Sequence, residues 1–408
     1  MDFLFIHGNY PAQFRHLAPL IAGAGHRVVF LTKCADAEKH EQPGIEIRQY
    51  SPHRSPHKTT HPYLLTTEES VLEGQAVLRE ISTLAREGFS PRFIITHAGN
   101  GLGLFIKDIL PHTLHIGYFE WFFRPETTQY LTKQFDLDVQ LNSGLRNLPI
   151  LQELERCDIA VVPTEWQKKQ FPEAYQQKLN IIFDGIDQQY FKLKSAVVFS
   201  QEKELTIHNR DTGEVFSIPA KSKVISYATR GMETLRGFPE FMRALPSLLK
   251  NHPNLRVVIA GSDRRAYSYD APSHNGSWKQ HLLEELEGQL PLERVLFTGL
   301  LNYNDYRNLL WRSDLHCYFT RPYVTSWSLF EAAACGAKLA VNRGLATSGI
   351  VNDSSVTWVE LEDQNELNSQ LAEALEKPGP RSQLQKGFDL KSSLQQWEQL
   401  LNKALHNS

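Results

Sequence analysis

The stretch Ser326-Trp327-Ser328-Leu329-Phe330-Glu331-Ala332-Ala333-Ala334-Cys335-Gly336-Ala337-Lys338-Leu339-Ala340-Val341 reads as a helix of small residues, a glycine stop and an apolar strand. A helix running straight into a wholly apolar strand is the unit of an α/β protein with a buried parallel sheet. Ser326, Ser328 and Glu331 occupy the first turns of that helix. Its leading amide N–H groups lack intrahelical partners and its positive dipole end favours an anion. One turn in, Glu331 can accept hydrogen bonds from hydroxyls. A phosphate and a vicinal diol held together describe a nucleotide. A small-residue core helix with one acidic residue favoured by the dipole gives the same pattern, so the surrounding sequence decides.

Working outward, the same alternation fills the second half. Strands are expected at Val224–Ala228, Leu255–Ala260, Val295–Thr298, Leu315–Phe319 and Lys338–Val341, with helices between. The first half repeats it. Phe3–His7, Arg27–Thr32, Gly44–Arg48, Phe93–Thr96, Leu114–Phe119 and Ile159–Val162 read as strands. Phe14, Leu17, Leu20 and Ile21 make a helical stripe, and Val71, Val77, Leu78, Ile81 and Leu84 mark a long helix. Leu148–Cys157 is a further helix. Between the halves, Val197–Phe199, Leu205–His208 and Glu214–Ile218 look like short strands around an Asp211-Thr212-Gly213 turn, a small antiparallel insertion. The tail, about 382–405, is an amphipathic helix carrying Phe388, Leu390, Leu394, Trp397, Leu400 and Leu401. Two doubly wound, Rossmann-like units in series follow: 1–190, a linker at 191–220, 221–381 and a C-terminal helix from 382 to 408.

Composition fits that size. The chain has 408 residues, 41% hydrophobic and 22% charged, with a formal net charge of -3. Two domains are expected, since single cores rarely grow beyond about 250–300 residues. The charge balance points away from nucleic acid as a partner. Four scattered cysteines form no CxxC pair, which argues against a disulfide framework or zinc site and fits a reducing compartment. The opening Met1-Asp2-Phe3-Leu4 lacks a basic n-region and reads as a strand, and no apolar run suffices to span a bilayer. A cytoplasmic location is expected, with peripheral contact at the inner membrane face left open.

The chemistry concentrates at strand ends. Tyr227-Ala228-Thr229-Arg230-Gly231-Met232-Glu233-Thr234-Leu235-Arg236-Gly237-Phe238 puts two arginines and two glycines between a strand and a helix. Arginine grips phosphate oxygens bidentately, and glycine lets backbone approach; a solvated loop is the competing reading. Val258-Ile259-Ala260-Gly261-Ser262 and Phe297-Thr298-Gly299-Leu300-Leu301 add two strand-to-glycine turns.

Together these segments resemble the donor domain of a family 4 retaining glycosyltransferase of GT-B fold. The resemblance rests on the Arg230 to Arg236-Gly237 loop, Gly261, and Glu331-Ala332-Ala333-Ala334-Cys335-Gly336. It extends to Asp184-Gly185-Ile186-Asp187-Gln188-Gln189-Tyr190-Phe191 and Pro163-Thr164-Glu165-Trp166. More loosely, His7-Gly8-Asn9-Tyr10-Pro11-Ala12-Gln13-Phe14 resembles the start of one subgroup. The resemblance implies α/β, GT-B architecture: two Rossmann-like domains facing a cleft, with the C-terminal helix returning to the first. It implies that Arg230 and Arg236 hold the diphosphate of a UDP- or GDP-linked sugar and act in catalysis, and that Glu331 takes the ribose hydroxyls. Gly8, Gly261, Leu300, Tyr323, Ser326, Trp327 and Ser328 complete the donor site. His97 is the histidine facing the donor sugar; on its residues alone it is equally a strand-end histidine bonded to backbone. His7, Asn9 and Glu120 are acceptor candidates, Glu120 being as readily a paired carboxylate at the edge of the core.

The family has two glutamates eight positions apart, and Tyr323 stands where the first would be. Donor identity is the property this departure touches. The resemblance implies transfer with retention to a saccharide or lipid-linked acceptor in cell-surface polysaccharide or glycoconjugate synthesis, with the leaving phosphate as base and no metal or other cofactor. A nucleotide-sugar epimerase of the same fold, or a non-catalytic nucleotide-sugar-binding subunit, are the alternatives. His53, His57 and His61 are separated by prolines that forbid a helical metal face, and Asp136-Leu137-Asp138 is read as a chance DxD. Trp121-Phe122-Phe123 is read as core.

Overall fold

A computed structural model describes residues 1–40, 42–193, 204–272 and 276–406. They fall into two units, one of residues 1–128, 134–185 and 390–408, the other of residues 129–133 and 186–389.

The first unit holds a seven-stranded sheet. Its strands are β1 (Asp2–His7), β2 (Arg27–Thr32), β3 (Ile45–Gln49), β4 (Pro91–His97), β5 (Leu114–Tyr118), β6 (Ile159–Val162) and β7 (Leu179–Ile181). They lie in the order β3-β2-β1-β4-β5-β6-β7 and every pair is parallel. Both faces are covered at its centre, which is why strands such as β1 and β2 are apolar runs rather than alternating ones. Phe3 and Phe5 meet Phe14, Leu17, Ile21 and Trp397 on one face. Leu4 and Ile6 meet Ala76, Val77, Ile81 and Leu84 of the helix Leu65–Arg86 on the other. Leu20, counted above in the apolar stripe, faces solvent: the helix there is a short Leu17–Gly23 whose buried side is Leu17, Ala18 and Ile21.

The second unit contains β10 (Lys223–Gly231), β11 (Leu255–Ser262), β12 (Val295–Gly299), β13 (Leu315–Tyr318), β14 (Leu339–Asn342) and β15 (Thr357–Val359), all parallel, in the order β12-β11-β10-β13-β14-β15. The amphipathic helix Phe238–Asn251 packs Phe238, Phe241, Leu245 and Leu248 onto Tyr227, Val257 and Leu315. An antiparallel hairpin of β8 (Leu205–His208) and β9 (Val215–Ile218) precedes the sheet. Its inner residues Ile207 and Ile218 pack with Val224, Val258 and Leu309, so the insertion is part of this unit. The expected strand Val197–Phe199 lies outside the described residues.

The units divide after Gly185 and after Asp389, a few residues from the expected 190 and 382. The reason is backbone pairing. Ile186 N–H donates to Phe388 O at 2.9 Å, and Ile186 bridges Asp389. Residues 382–389 are consequently not helical: Ser382 N–H donates to Ala337 O at 3.2 Å, Leu384 bridges Val351, and residues 386–387 make a turn. The last helix starts at Leu390 and runs to His406, with Leu394, Trp397 and Leu401 against the first unit's core. Residues 129–133 join the second unit because Tyr269 N–H donates to Leu131 O at 2.6 Å. Among the described residues no helix is long and apolar enough to cross a membrane.

Trp397 is 4% exposed and its ring lies 6.4 Å from that of Tyr118. Trp397→Ala should therefore lower stability by about 3–5 kcal/mol in urea unfolding, the range for emptying a large aromatic site.

Candidate functional site

In a doubly wound sheet the crevice opens where strand order reverses, outside the strand carboxyl ends. In the first unit that place is between β1 and β4, and the residues there are His7 and His97. Their ring centroids are 4.3 Å apart. Asn9 N–H donates to His7 Nδ1 at 2.8 Å, which leaves the ring proton on Nε2. His7 Nε2 then donates to Gln13 Oε1 at 2.8 Å, and Gln13 Nε2 donates to Glu120 Oε1 at 2.5 Å. Glu120 Oε2 stands 3.3 Å from His97 Nε2. Burial, and then the adjacent His97, hold the His7 pKa well below the ordinary histidine range, so its ring is neutral near pH 7.

His7, His97 and Glu120 thus come together, joined by Gln13, which sequence reasoning missed. Gln13 lies in the quoted opening segment, two residues past Pro11, and that position was its signal. Asn9 is exposed and contributes its backbone here. Gly8 follows β1 directly; its carbonyl accepts from Thr32 Oγ1 at 3.3 Å, and a Cβ on it would meet the Lys33 side chain at 3.4 Å.

The loop after His97 is pinned from below. Gly101 has φ +86, and a Cβ there would stand 1.9 Å from Ser70 O. Its N–H donates to Glu153 Oε1 at 2.9 Å. Glu153 is fully buried, and that burial pushes its pKa up to about 7, against the pull of the Gly99, Gly101 and Gly103 amides and of His97. Nothing in the helix Leu148–Arg156 marks Glu153 as different from its exposed neighbours, so sequence reasoning missed it too.

In the second unit the reversal lies between β10 and β13. Arg230 is exposed at the end of β10. The next residue must be small: a Cβ on Gly231 would lie 2.6 Å from Arg264 O. Gly261, at φ +144, is pressed on Thr229 O, which a Cβ would approach to 2.3 Å. Arg236 is buried where Arg230 is exposed. It is 6% exposed, Nη1 donates to Thr320 Oγ1 at 2.6 Å and Nη2 to Val324 O at 3.0 Å. These two bonds tie it to the segment 320–324. Glu233, 0% exposed, accepts the N–H groups of Ala266, Tyr267 and Ser268 at 2.8, 2.9 and 2.9 Å.

The helix Trp327–Ala334 is capped by Ser326. Its first amides are partly engaged: Ser326 N–H donates to Tyr318 OH at 3.0 Å, Leu329 N–H to Ser326 O at 3.2 Å, and Ser328 N–H to Ser326 Oγ at 3.4 Å. Trp327 is half-buried, and Glu331 is 4% exposed on the same helix. The charge of Glu331 contributes to raising the Tyr306 pKa, after burial. Tyr323 is half-buried, its ring 5.4 Å from that of Tyr267. Leu300 is half-buried, and its carbonyl accepts from Arg210 N–H at 2.6 Å.

The Asp136-Leu137-Asp138 tripeptide has structural employment. Asp136 caps the helix Leu137–Leu145 through Val139 N–H at 2.9 Å, and Asp138 accepts from Tyr63 OH. Among the described residues no three His, Cys, Asp or Glu side chains gather as metal ligands. Trp121 and Phe122 are buried, Phe122 against Phe171.

Two Rossmann-like units, each open at the switch point of its sheet, define the GT-B class of α/β protein. The family follows from the sequence: residues 24–191 match the model described as "Glycosyl transferase family 4 group", and residues 210–388 match "Glycosyl transferases group 1". The chain belongs to the family 4 glycosyltransferases. No curated protein matches it significantly. Among solved structures, sucrose-phosphate synthase from Thermosynechococcus elongatus is similar over 100% of both chains, at 14% identity and TM-score 0.67. HepE from Anabaena, solved in complex with UDP, is similar over 99% of this chain and 100% of its own, at 14% identity and TM-score 0.62. WaaG, a glycosyltransferase involved in lipopolysaccharide biosynthesis, is similar over 92% and 91%, at 16% identity and TM-score 0.59.

Two outcomes follow from the buried charges. Glu153 has a folded pKa above its unfolded value, so the stability it contributes is present at low pH and lost as pH rises through about 7. Glu153→Gln cannot ionise, and unfolding from pH 5 to pH 8 should show the variant gaining on the wild type as pH rises. Arg236→Ala should cost about 2–4 kcal/mol through the acceptors it strands, whereas Arg230→Ala should stay within about 0.5 kcal/mol in the same unfolding assay.

Proposed function

We propose that this glycosyltransferase moves a sugar from a UDP- or GDP-linked donor to a saccharide or lipid-linked acceptor with retention, without a metal. The pathway we assign is cell-surface polysaccharide or glycoconjugate synthesis, at a cytoplasmic or inner-membrane-peripheral location. The observation that carries the reading is the second unit's switch point. An exposed arginine at the end of β10 shares a unit with a Ser-capped helix that carries a buried carboxylate. The UDP found with HepE, a protein of the same fold, supports a nucleotide there.

In this reading Arg230 and the leading amides of the helix Trp327–Ala334 meet the diphosphate, and Glu331 accepts the ribose hydroxyls. Gly231 and Gly261 let backbone come close. The leaving group is a nucleoside diphosphate, and negative charge grows on its oxygens as the glycosidic bond breaks. A fixed cation and fixed N–H dipoles aimed there lower the barrier because they need no reorganisation. The leaving phosphate takes the acceptor's proton. In the first unit His97 hydrogen-bonds the donor sugar, and His7, Asn9 and Glu120 meet the acceptor. With His7 Nδ1 receiving a backbone N–H, the His7–Gln13–Glu120 chain fixes how Glu120 presents its carboxylate.

A thermal-shift panel of UDP, GDP and ADP with their glucose or mannose derivatives tests the reading. A ligand at about 100 times its Kd stabilises by about 2.7 kcal/mol, and a clear rise in melting temperature is expected for the UDP or GDP series. Arg230→Ala and Glu331→Ala should abolish it. No shift with any of the three series, or a shift surviving both substitutions, defeats the assignment. Product analysis with a labelled donor then separates a new glycoside from an epimerised donor, and its anomeric configuration reads retention.

A further inference from the structure

We propose that Tyr267 and Tyr323 form a two-ring platform that receives the pyranose of the donor, and that Glu233 and Arg236 are positioning residues that mount it. This rests on the nucleotide-sugar reading above and adds which side chains read the sugar.

The two tyrosines come from separate loops, one after β11 and one after β13. Their ring centroids are 5.4 Å apart with planes at 53°, and both side chains are half-buried. Both rings are in contact with each other, and each residue keeps part of its surface accessible to solvent. Each loop is anchored by a different buried charge from residues 233–236. The Glu233 carboxylate collects the three consecutive amides of Ala266, Tyr267 and Ser268. Thr234 Oγ1 and Ser268 Oγ add a bond of 2.8 Å. On the other side Arg236 binds Thr320 and the carbonyl of Val324, the residue after Tyr323. Arg321 N–H donates to Leu235 O at 2.8 Å, and its guanidinium pairs with Glu240 at 2.9 Å. The Arg236 guanidinium carbon also lies 5.4 Å from the Tyr267 ring centre, a cation–π contact that occupies one face of that ring.

Burying a carboxylate and a guanidinium is costly unless each is fully hydrogen-bonded. Here one Glu233 oxygen takes three backbone amides of the Tyr267 loop, and Arg236 bonds the Thr320 hydroxyl and the Val324 carbonyl of the Tyr323 loop. The free energy of those bonds is therefore tied to the placement of the two rings, which is the arrangement a preorganised subsite requires.

The loop that carries Tyr267 also adjoins the residue after Arg230, to which the diphosphate is assigned above. The 264–268 loop touches the residue next to Arg230: a Cβ on Gly231 would meet Ala266 Cβ at 3.1 Å. A diphosphate on Arg230 puts its sugar within reach of this loop. Pyranoses present a face of C–H groups that packs on aromatic rings, while their hydroxyls project from the rim. A phenol offers one hydroxyl and a ring face where a carboxylate would offer two strong acceptors. Recognition then depends on the apolar face of the sugar more than on any single hydroxyl, so the donors expected are nucleotide-linked pyranoses, including ones lacking a ring hydroxyl.

The experiment measures Kd by calorimetry for UDP against UDP-glucose and GDP against GDP-mannose. The proteins are wild type, Tyr267→Ala, Tyr323→Ala, their Leu and Phe counterparts, and Glu233→Gln. For the pair that wild type binds more tightly, each Ala or Leu substitution should weaken the nucleotide-sugar by roughly three- to tenfold while moving the bare nucleotide less than about twofold. The Phe variants should retain most of the sugar affinity, and Glu233→Gln should behave like the ring losses. The Leu variants keep bulk in both loops, so a folding failure of an Ala variant leaves the comparison intact. Equal effects on sugar and bare nucleotide, or no effect on either, overturn the platform while leaving the donor site standing. If wild type binds no nucleotide, the donor assignment falls and the platform with it.

Discussion

Each sheet grows in both directions from its own first strand, and this reversal governs where anything can bind. β1 has β2 on one side and β4 on the other, and β10 has β11 and β13. Helices that follow the two flanking strands diverge to opposite faces, so the carboxyl ends beside the central strand stay uncovered. Register then fixes the neighbours. Ile6 pairs with Thr96, which sets the next residues, His7 and His97, side by side. Tyr227 pairs with Cys317, which brings the loop after β10 against the segment after β13. The histidine pair and the Arg236–Thr320 contact are both consequences of parallel pairing in that order.

Uncovered strand ends are also where the backbone is least constrained, and the chain answers with buried charge. Glu153 sits under the Gly99–Gly103 loop, Glu233 under residues 266–268, and Arg236 under residues 320–324. In each case a fully or nearly buried ionisable side chain bonds the backbone of a loop that carries or follows a candidate residue. Desolvation makes these groups expensive, and only a fixed loop satisfies them. The bonds that hold these loops are the same ones that offset the burial of the charges. Glu153 shows the tension most openly, because three glycine amides do not fully offset burial and its pKa remains at about 7.

This explains which parts of the molecule were legible in the sequence. Strands such as Phe3–Ile6 and Val257–Ala260 were readable because burial on both faces demands continuous apolar runs. The three-residue β15 was not, since Thr357-Trp358-Val359 at a sheet edge has neither length nor pattern. The start of the last helix was misplaced because Phe388 continues the apolar spacing, although its ring packs on Phe330 and its carbonyl pairs with Ile186. Arg230 and Arg236 look equivalent in one glycine-flanked loop, and burial alone separates them. Glu153, Glu233 and Gln13 act through partners distant in sequence or through backbone, and a single sequence does not mark such roles.

The hairpin of β8 and β9 gains a purpose from the same reasoning. It precedes the sheet in sequence, yet it ends on the turn after β12. Arg210 N–H takes the Leu300 carbonyl, Asn209 bridges Leu301, and His208 Nδ1 lies 2.9 Å from Asp305 in the next helix. Gly299, at φ +66, lies so close to Asn209 that a Cβ would come within 2.2 Å of its side-chain nitrogen. The turn and the hairpin therefore set each other's shape. A carbonyl at a strand end would otherwise depend on water, and here it is satisfied by a segment that carries no candidate ligand itself. The antiparallel insertion completes the parallel sheet's open end, as Glu233 and Arg236 do for the two neighbouring loops, by supplying bonds that the α/β alternation cannot provide.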